Sequence, residues 1–210
     1  MGKLSKLDSF MKAVRGSYHS SGGGHHQIQT AAAPKSEEQK FKALLQSKEK
    51  AVKLHFYIQD ALGGPNATVS EVARSDMTAA SAVSFGQVRV LDDLITAEPD
   101  RNSAKLGRAQ GMITFTGLDE AALTMNLNFY FTAGEYSGSS LCIIGRNPIN
   151  STNRELPVVG GTGRFRLARG YSISNTYSYD AVANYGVLEY TVYVAYYEDE
   201  DINTQINSSK

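Results

Sequence analysis

The chain has 210 residues, of which 41% are apolar, and its 21 basic residues balance 21 acidic ones, as in one globular domain with extensions. Residues 1–53 hold ten Lys and Arg against four Asp and Glu, whereas residues 54–210 hold eleven against seventeen. The acidic body argues against a nucleic-acid partner, and since no run of about 18 apolar residues occurs, the sequence argues against a membrane span.

Residues 1–50 are predicted to be an extension, largely disordered. Residues 17–36 are rich in Gly, Ser and His without an apolar period, which is typical of a flexible linker. The stretch SEEQKFKALLQSKEK predicts a short helix over 36–50, with Ser36 as N-cap. The adjacent pair His25–His26 is too little to indicate a metal site, so no metal is expected.

The sequence gives two opposing signals about the compartment. The first residues carry no apolar stretch of the length that a secretory signal needs, which favours a cytosolic or plastid location. Asn66, Asn150 and Asn207 each begin a glycosylation sequon, and sequons are used only on the secretory route. Secretion to the apoplast is therefore the alternative.

From residue 52 onward the chain reads as β-strands. In KLHFYIQD the residues alternate, so that Asp60 shares a face with Phe56 and Ile58, and Gln59 lies on the other face. Further runs rich in Val, Ile, Tyr, Phe and Thr predict strands over 85–93, 109–117, 122–132, 139–145, 164–179 and 185–197.

The predicted strands follow one another through short turns, and no helix of ten residues interrupts them. This pattern predicts an all-β, antiparallel up-and-down sheet over residues 51–198, closed into a barrel that holds one small ligand, with a polar tail over 199–210. ALTMNLNFYFT and GVLEYTVYVAYY are apolar on both faces. The outer face is then expected to meet another protein chain, which predicts an oligomer.

The stretch ELPVVGGTGRFRLARG, residues 155–170, raises the alternative of a phosphate-binding loop. Such a loop needs a Lys-Ser/Thr pair and a following helix, whereas RFRLARG alternates as a strand does. We therefore interpret GGTG as a β-hairpin turn in which glycines supply positive φ.

Six motifs together resemble plant dirigent proteins. They occur in the family's order, and the resemblance covers residues 53–197: HFYIQD, GRAQG, LNFYFTAGEYSGSSL, GRNP, RELPVVGGTG and FRLARG. The chain is identified as a member of that family. The resemblance implies an eight-stranded antiparallel barrel related to allene oxide cyclase, a homotrimer, a small phenolic substrate and no cofactor.

Family members act on plant phenolics by two routes, and both stay open. Some guide the coupling of phenoxy radicals that an external oxidase, a laccase or peroxidase, produces. Others remove water from an alcohol and direct the closure of the quinone methide. Ile113 stands where the pinoresinol-forming branch has a tyrosine. This chain has a single cysteine, Cys142, whereas that branch has a cysteine pair. These departures favour the pterocarpan-forming cyclases; a third possibility is a carrier of an apolar metabolite.

The resemblance also suggests two catalytic residues. Asp60 matches the family's acid at the end of the first strand and is expected to act as a proton donor, although an Asp at that place also suits a turn. The family's His before it is replaced by Gln59. Arg154 matches the pocket arginine and is expected to stabilise a phenolate; an ion pair with Glu155 is the alternative.

Four further residues are expected to bind the substrate. Asn147 stands where pinoresinol-forming members carry Asp, and an amide orients a substrate but does not donate a proton as an acid does. Phe56 and Ile113 are expected to line the pocket. Tyr136 is expected at the pocket mouth, with packing beside a turn as the alternative.

Overall fold

A computed structural model of the chain describes residues 35–198. The predicted linker with His25–His26, the tail over 199–210 and the sequon at Asn207 lie outside the described residues. No helix in the described range combines the length and apolar composition needed to cross a bilayer.

The described chain contains one α-helix, nine strands and two short 3-10 helices, Asp76–Ala80 and Gly163–Phe165. The helix α1 (Glu37–Gln46) lies within the stretch 36–50 for which the sequence predicts a helix. Two ion pairs, Lys40–Glu37 and Lys42–Glu38, each join residues one turn apart and support it. The strands are β1 (Glu49–Ala61), β2 (Val69–Ala73), β3 (Val88–Thr96), β4 (Lys105–Phe115), β5 (Ala122–Phe131), β6 (Ser140–Pro148), β7 (Arg154–Thr162), β8 (Arg169–Asp180) and β9 (Tyr185–Tyr197).

The sheet closes on itself. Its strand order is β1-β9-β8-β7-β6-β5-β4-β3-β2, and β1 also pairs with β3, with Ile58 opposite Ile95. Every pairing is antiparallel. The prediction of an eight-stranded antiparallel barrel is confirmed: β1 and β3 to β9 form it, and the short β2, which the sequence did not predict, is an extra strand beside β3.

The barrel interior is filled from strands that alternate cleanly. In β5, the side chains that are buried alternate with exposed polar ones such as Asn126 and Asn128. The period of two therefore separates an apolar inner row from a wetted outer row. The inner row of β5 is Leu123, Met125, Leu127, Phe129 and Phe131.

The end of β1 departs from alternation. Gln59 is buried on the outer side of the barrel, because β1 is paired there with both β9 and β3. Its Nε2 donates to Thr96 Oγ1 at 2.9 Å and to the Pro99 carbonyl at 3.0 Å, while Tyr185 Oη donates to its Oε1 at 2.6 Å. Gln59 thus ties the loop that contains Pro99 to the barrel wall.

The strand predicted over 164–179 begins later than expected. Residues Gly163–Phe165 form one turn of 3-10 helix, and β8 starts at Arg169. Gly163 has φ +61°, and a Cβ there would lie 2.7 Å from Ser139 Oγ, which is why glycine is needed. The turn is therefore shifted along the chain, since Gly160 and Gly161 still belong to β7.

Candidate functional site

One end of the barrel contains a cavity of about 460 Å³, a size that suits a small organic ligand. Its wall is mostly apolar, with Ile58, Ala109, Ile113, Leu123, Leu127 and Leu188 among the lining residues. Polar or charged side chains interrupt this wall, among them Asp60, Arg89, Asp93, Asn147 and Arg154.

Asp60 and Asp93 reach the cavity from β1 and β3. Burial raises the pKa of Asp60 to about 6, and the positive charge of Arg89 opposes that rise. Burial also raises the pKa of Asp93 to about 7, with the negative charge of Asp60 adding to the effect. The Thr68 hydroxyl donates to Asp93 Oδ1 and opposes the rise. Two carboxyls that oppose each other's ionisation hold a proton near neutral pH.

Arg89 lines the cavity near these carboxyls. Its guanidinium lies over the Phe115 ring, 5.2 Å from the centroid, and its Nε donates to Gln87 Oε1 at 2.7 Å. Gln87 is buried and donates in turn to Glu71. These contacts fix a positive charge at the wall, and that charge partly opposes the rise in the pKa of Asp60 that burial causes.

Arg154 begins β7 and is 5% exposed. Its Nη1 donates to the Ile149 carbonyl at 2.9 Å and to Thr176 Oγ1 at 3.1 Å. Burial lowers its pKa, and the negative charge that Tyr190 acquires on ionisation would raise it. The structure shows no ion pair between Arg154 and Glu155, the alternative that the sequence left open, within the described part of the chain.

Asn147 and Ile113 also line the cavity, from β6 and β4. Asn147 is 6% exposed, and its Nδ2 donates to Met125 Sδ at 2.8 Å. Of the six residues that the sequence nominated, the barrel brings four together around one space: Asp60, Ile113, Asn147 and Arg154.

The other two nominated residues lie elsewhere. Phe56 is 1% exposed and stacks on Tyr190, with the ring centroids 6.0 Å apart, beneath the cavity floor. Tyr136 stacks on Phe165 at 4.8 Å in the turn after β5, at the opposite end of the barrel. Neither is among the residues that line the cavity, so the packing alternative for Tyr136 describes its position.

Sequence reasoning missed Asp93 and Arg89. Both lie in the run VRVLDD, where Arg89, Leu91 and Asp93 alternate and all three line the cavity. Charged residues four positions apart, such as Arg89 and Asp93, are ordinarily interpreted as lying on the solvent-exposed face of a strand. The paired acids of LDD were the available signal, since neighbouring strand residues face opposite sides and one of them had to point inward.

The two described sequon asparagines, Asn66 and Asn150, are both exposed, and Asn150 lies at the cavity rim. Within residues 35–198, no group of three or more His, Cys, Asp or Glu side chains is placed to hold a metal ion.

Comparison with known proteins shows which family the chain matches. A family model described as Dirigent-like protein matches residues 51–195. The chain is 45% identical to Dirigent protein 1 of Arabidopsis thaliana over 66% of its own length and 78% of that protein. It is 38% identical to Pterocarpan synthase 1 of Glycine max, over 71% and 81% of the two chains.

Solved structures agree. The pterocarpan synthase dirigent protein GePTS1 superimposes with a TM-score of 0.67 at 38% identity, over 73% of this chain and 88% of that one. A second, PsPTS1, gives a TM-score of 0.65 at the same identity, over 71% and 97%.

Proposed function

This chain belongs to the dirigent family, and we propose that it binds a small phenolic alcohol and directs its loss of water and stereoselective ring closure. The observation that carries the proposal is the pair of carboxyls, half-buried Asp60 and buried Asp93, in a mostly apolar cavity that Arg154 also lines. A mostly apolar pocket that combines a proton donor with fixed positive charge is suited to an acid-assisted elimination.

The chemistry proceeds in two steps. A carboxyl of the Asp60–Asp93 pair gives its proton to the departing hydroxyl, the C–O bond breaks and water leaves. The phenol oxygen gives up its proton to the carboxylate and becomes the carbonyl of a quinone methide. A second hydroxyl of the same substrate then bonds to the methide carbon, and its proton restores the phenol. The net change is the loss of one water.

Arg154 supplies the charge partner in this scheme. The guanidinium is held by Ile149 and Thr176, so it does not have to reorganise when the phenol ionises. A fixed positive charge in a low-dielectric cavity stabilises a phenolate more than water does. Stabilising the negative charge that develops on the phenol oxygen as the C–O bond breaks therefore assists the departure of water.

Similarity to pterocarpan synthases supports the cyclase over the radical-coupling route. The chain is 38% identical to Pterocarpan synthase 1 of Glycine max, and its fold matches two solved pterocarpan synthase dirigent proteins. Both are named for forming pterocarpans, which directs the choice of test substrate.

The test is incubation of the purified protein with an isoflavanol and no oxidase. We expect a single stereoisomer of the cyclised product, formed faster than in the buffer control. A stereoselective product that forms only when a laccase oxidises a monolignol would instead support guidance of radical coupling. Binding of the phenol without turnover in either assay would identify a carrier.

We also propose that the chain forms a homotrimer. Val90, Met112 and Ile144 are about 40% exposed, and the register aligns them with Asn126 in one row across four strands. An apolar row on an outer wall marks an interface.

Light scattering should give three times the chain mass. Met112→Lys should reduce that mass, whereas Val182→Lys, at a fully exposed turn position, should leave it unchanged. A monomeric wild type would contradict the proposal.

A further inference from the structure

The threonine of the first described glycosylation sequon lies against the carboxyl pair. Asn66, which begins the sequon, is exposed in the loop between β1 and β2, whereas the Thr68 hydroxyl donates a hydrogen bond to Asp93 Oδ1. A sequon requires only that Ser or Thr stands two residues after the asparagine, and that requirement does not specify a contact in the folded protein. The hydrogen bond to Asp93 therefore needs its own explanation.

Thr68 lies at the seam where the barrel closes. Direct pairing of β1 with β3 ends with Gln59 opposite Leu94, just before the two acids. Beyond that point the Thr68 N–H donates to the Ala61 carbonyl at 2.9 Å, and the Asp92 N–H donates to the Thr68 carbonyl at 3.0 Å. The backbone of Thr68 is thus joined to the residue that follows one acid and to the residue that precedes the other.

The side chain of Thr68 is oriented from two sides. The Ala61 N–H donates to Thr68 Oγ1 at 3.2 Å, and the same hydroxyl donates to Asp93 Oδ1. A hydroxyl carries one proton and two acceptor lone pairs. Because a backbone donor occupies its acceptor side, the hydroxyl directs its one proton at the carboxyl.

The loop before Thr68 fixes its position. The Ala67 N–H donates to the Gly64 carbonyl at 3.3 Å and closes a turn, and Gly64 has φ +81°, which glycine adopts without strain. On the other side, Val69 is buried and pairs with Leu91 of β3. Thr68 is therefore held between a closed turn and a paired strand.

The ionised form of Asp93 depends on groups that take the place of water. Asp93 is 2% exposed. Burial and the negative charge of Asp60 raise its pKa, and the hydrogen bond from Thr68 lowers it. Hydrogen bonds to a charged acceptor are stronger than those between neutral groups, so removal of this donor should disfavour the carboxylate.

Other charged and titratable groups surround Asp93. On the strands packed around it they are Asp60 on β1, Asp92 on β3, Arg108 on β4, and Tyr185 and Tyr190 on β9. The two acids raise the pKa of Asp93, and the arginine lowers it. Burial raises the pKa of both tyrosines, so they stay neutral while Asp93 titrates. Thr68 differs from these groups in acting through a hydrogen bond that one substitution removes.

We propose that Thr68 is a positioning residue for the carboxyl pair. Its hydroxyl holds the Asp93 side chain beside Asp60 and supplies a hydrogen bond that stabilises the ionised form of Asp93. Thr68 is not among the residues that line the cavity, so it acts on a guest through Asp93. That the proton of the pair takes part in the loss of water rests on the proposed function.

The test follows the ionisation of Asp93 by carbon-13 NMR titration of the aspartate carboxyl carbons. The full chain is made in a bacterial host without N-glycosylation, and Asp93→Asn identifies the resonance. Thr68→Val replaces the hydroxyl by a methyl group of similar size and should raise the pKa of Asp93 by about one pH unit or more. An unchanged pKa in folded Thr68→Val protein would overturn the proposal.

Further variants assign the shift to the hydroxyl. Thr68→Ser keeps the donor and should restore the wild-type pKa, and Asn66→Gln, which removes the sequon but not the donor, should leave it unchanged. If Thr68→Val does not fold, Thr68→Ala and Thr68→Ser decide instead, because they differ by one hydroxyl. A merely structural role predicts a lower melting temperature at every pH with no change in this pKa.

The pH dependence of turnover is a separate readout. If the pair must hold a proton when water is lost, turnover of an isoflavanol should fall as the pH rises through its pKa. Thr68→Val should move that fall to higher pH by the shift that NMR measures. A fall that stays at the wild-type pH in active Thr68→Val protein would overturn the role of Thr68 in the reaction.

The two readouts separate this inference from the proposed function. If the wild-type protein does not turn over an isoflavanol, the proposed function fails, and the NMR titration still decides whether Thr68 positions Asp93. If the wild type is active but the pKa of Asp93 does not respond to Thr68→Val, the positioning role alone is lost.

Discussion

The two ends of the barrel bury their side chains in opposite ways. Where β5 ends, aromatic rings fill the interior: Phe165 lies 4.8 Å from Tyr136 and 5.5 Å from Tyr196, centroid to centroid. Where β5 begins, the interior is hollow, and Asp60 and Asp93 are held beside it with raised pKa values. One end is packed like an organic crystal, and the other holds groups whose ionisation is unfavourable there.

This difference indicates where stability and reactivity reside. Ring packing contributes stability, whereas carboxyls buried away from water subtract from it. We call the packed end the aromatic plug; it consists of Phe131, Tyr136, Phe165 and Tyr196. Substitutions in the plug are therefore expected to lower stability. Substitutions at the cavity end should alter turnover and leave the fold intact.

The largest effect is expected from Asp60→Asn. If Asp60 belongs to the proton-donating pair, turnover of an isoflavanol should fall by about 10²- to 10⁴-fold, with an unchanged circular dichroism spectrum and melting temperature within a few degrees. The matched control is Asp92→Asn, because Asp92 faces outward and pairs with Arg108 at 2.7 Å. Wild-type turnover by the Asp60 variant would remove this residue from the mechanism.

The next effect concerns the aromatic plug. Phe165 is fully buried, so Phe165→Ala should lower the free energy of unfolding by about 3–5 kcal/mol. Urea denaturation measures the loss, and Leu118→Ala, at a 60% exposed site, should change it by less than about 0.5 kcal/mol. A small loss at Phe165 would mean that the plug is not where the fold is stabilised.

A smaller effect links the cavity end to pH. Burial raises the folded pKa of Asp93 to about 7, so the folded state binds its proton more tightly than the unfolded state does. Stability should accordingly be highest below about pH 4 for this group and fall as the pH rises to about 7. Asp93→Asn should raise the unfolding free energy at pH 8 by on the order of 2 kcal/mol.

The measurement for Asp93 is a series of urea unfolding curves for both proteins between pH 4 and pH 8. The curves should converge at the acid end, where the carboxyl is protonated in both states. A difference that is independent of pH would show that the variant acts through packing and not through the charge.

The smallest effect is expected from Tyr136→Phe. Tyr136 lies in the aromatic plug and outside the cavity lining, so removal of its hydroxyl should leave the KM for an isoflavanol unchanged within about twofold and stability within about 1 kcal/mol. A large rise in KM would show that the guest reaches both ends of the barrel, which would contradict the division into a packed end and a cavity end.

Strands with strict alternation were predictable from the sequence. The run predicted over 185–197 coincides with β9, and that over 122–132 ends one residue beyond β5. Both are long and rich in aromatic and β-branched residues, so local preference and tertiary pairing agree. The short β2 was not predicted, because five residues that pair only with β3 leave no periodic signal of their own.

The site was predictable in part. Family motifs led to Asp60, Asn147 and Arg154, but they did not separate Tyr136 from the cavity. Asp93 and Arg89 were missed because alternation says which residues share a face, not which face points inward. That choice is made only when β3 is paired with β4 on one side and with β1 on the other.

By itself, the sequence determined the class of fold and the chemistry available, since a period of two and the identity of each side chain are local properties. Closure of the sheet decided the rest, because pairing between distant strands selects the inner face and sets the neighbours of each charge. The raised pKa values of Asp60 and Asp93 arise where strands that are far apart in the chain meet. No local pattern contains them.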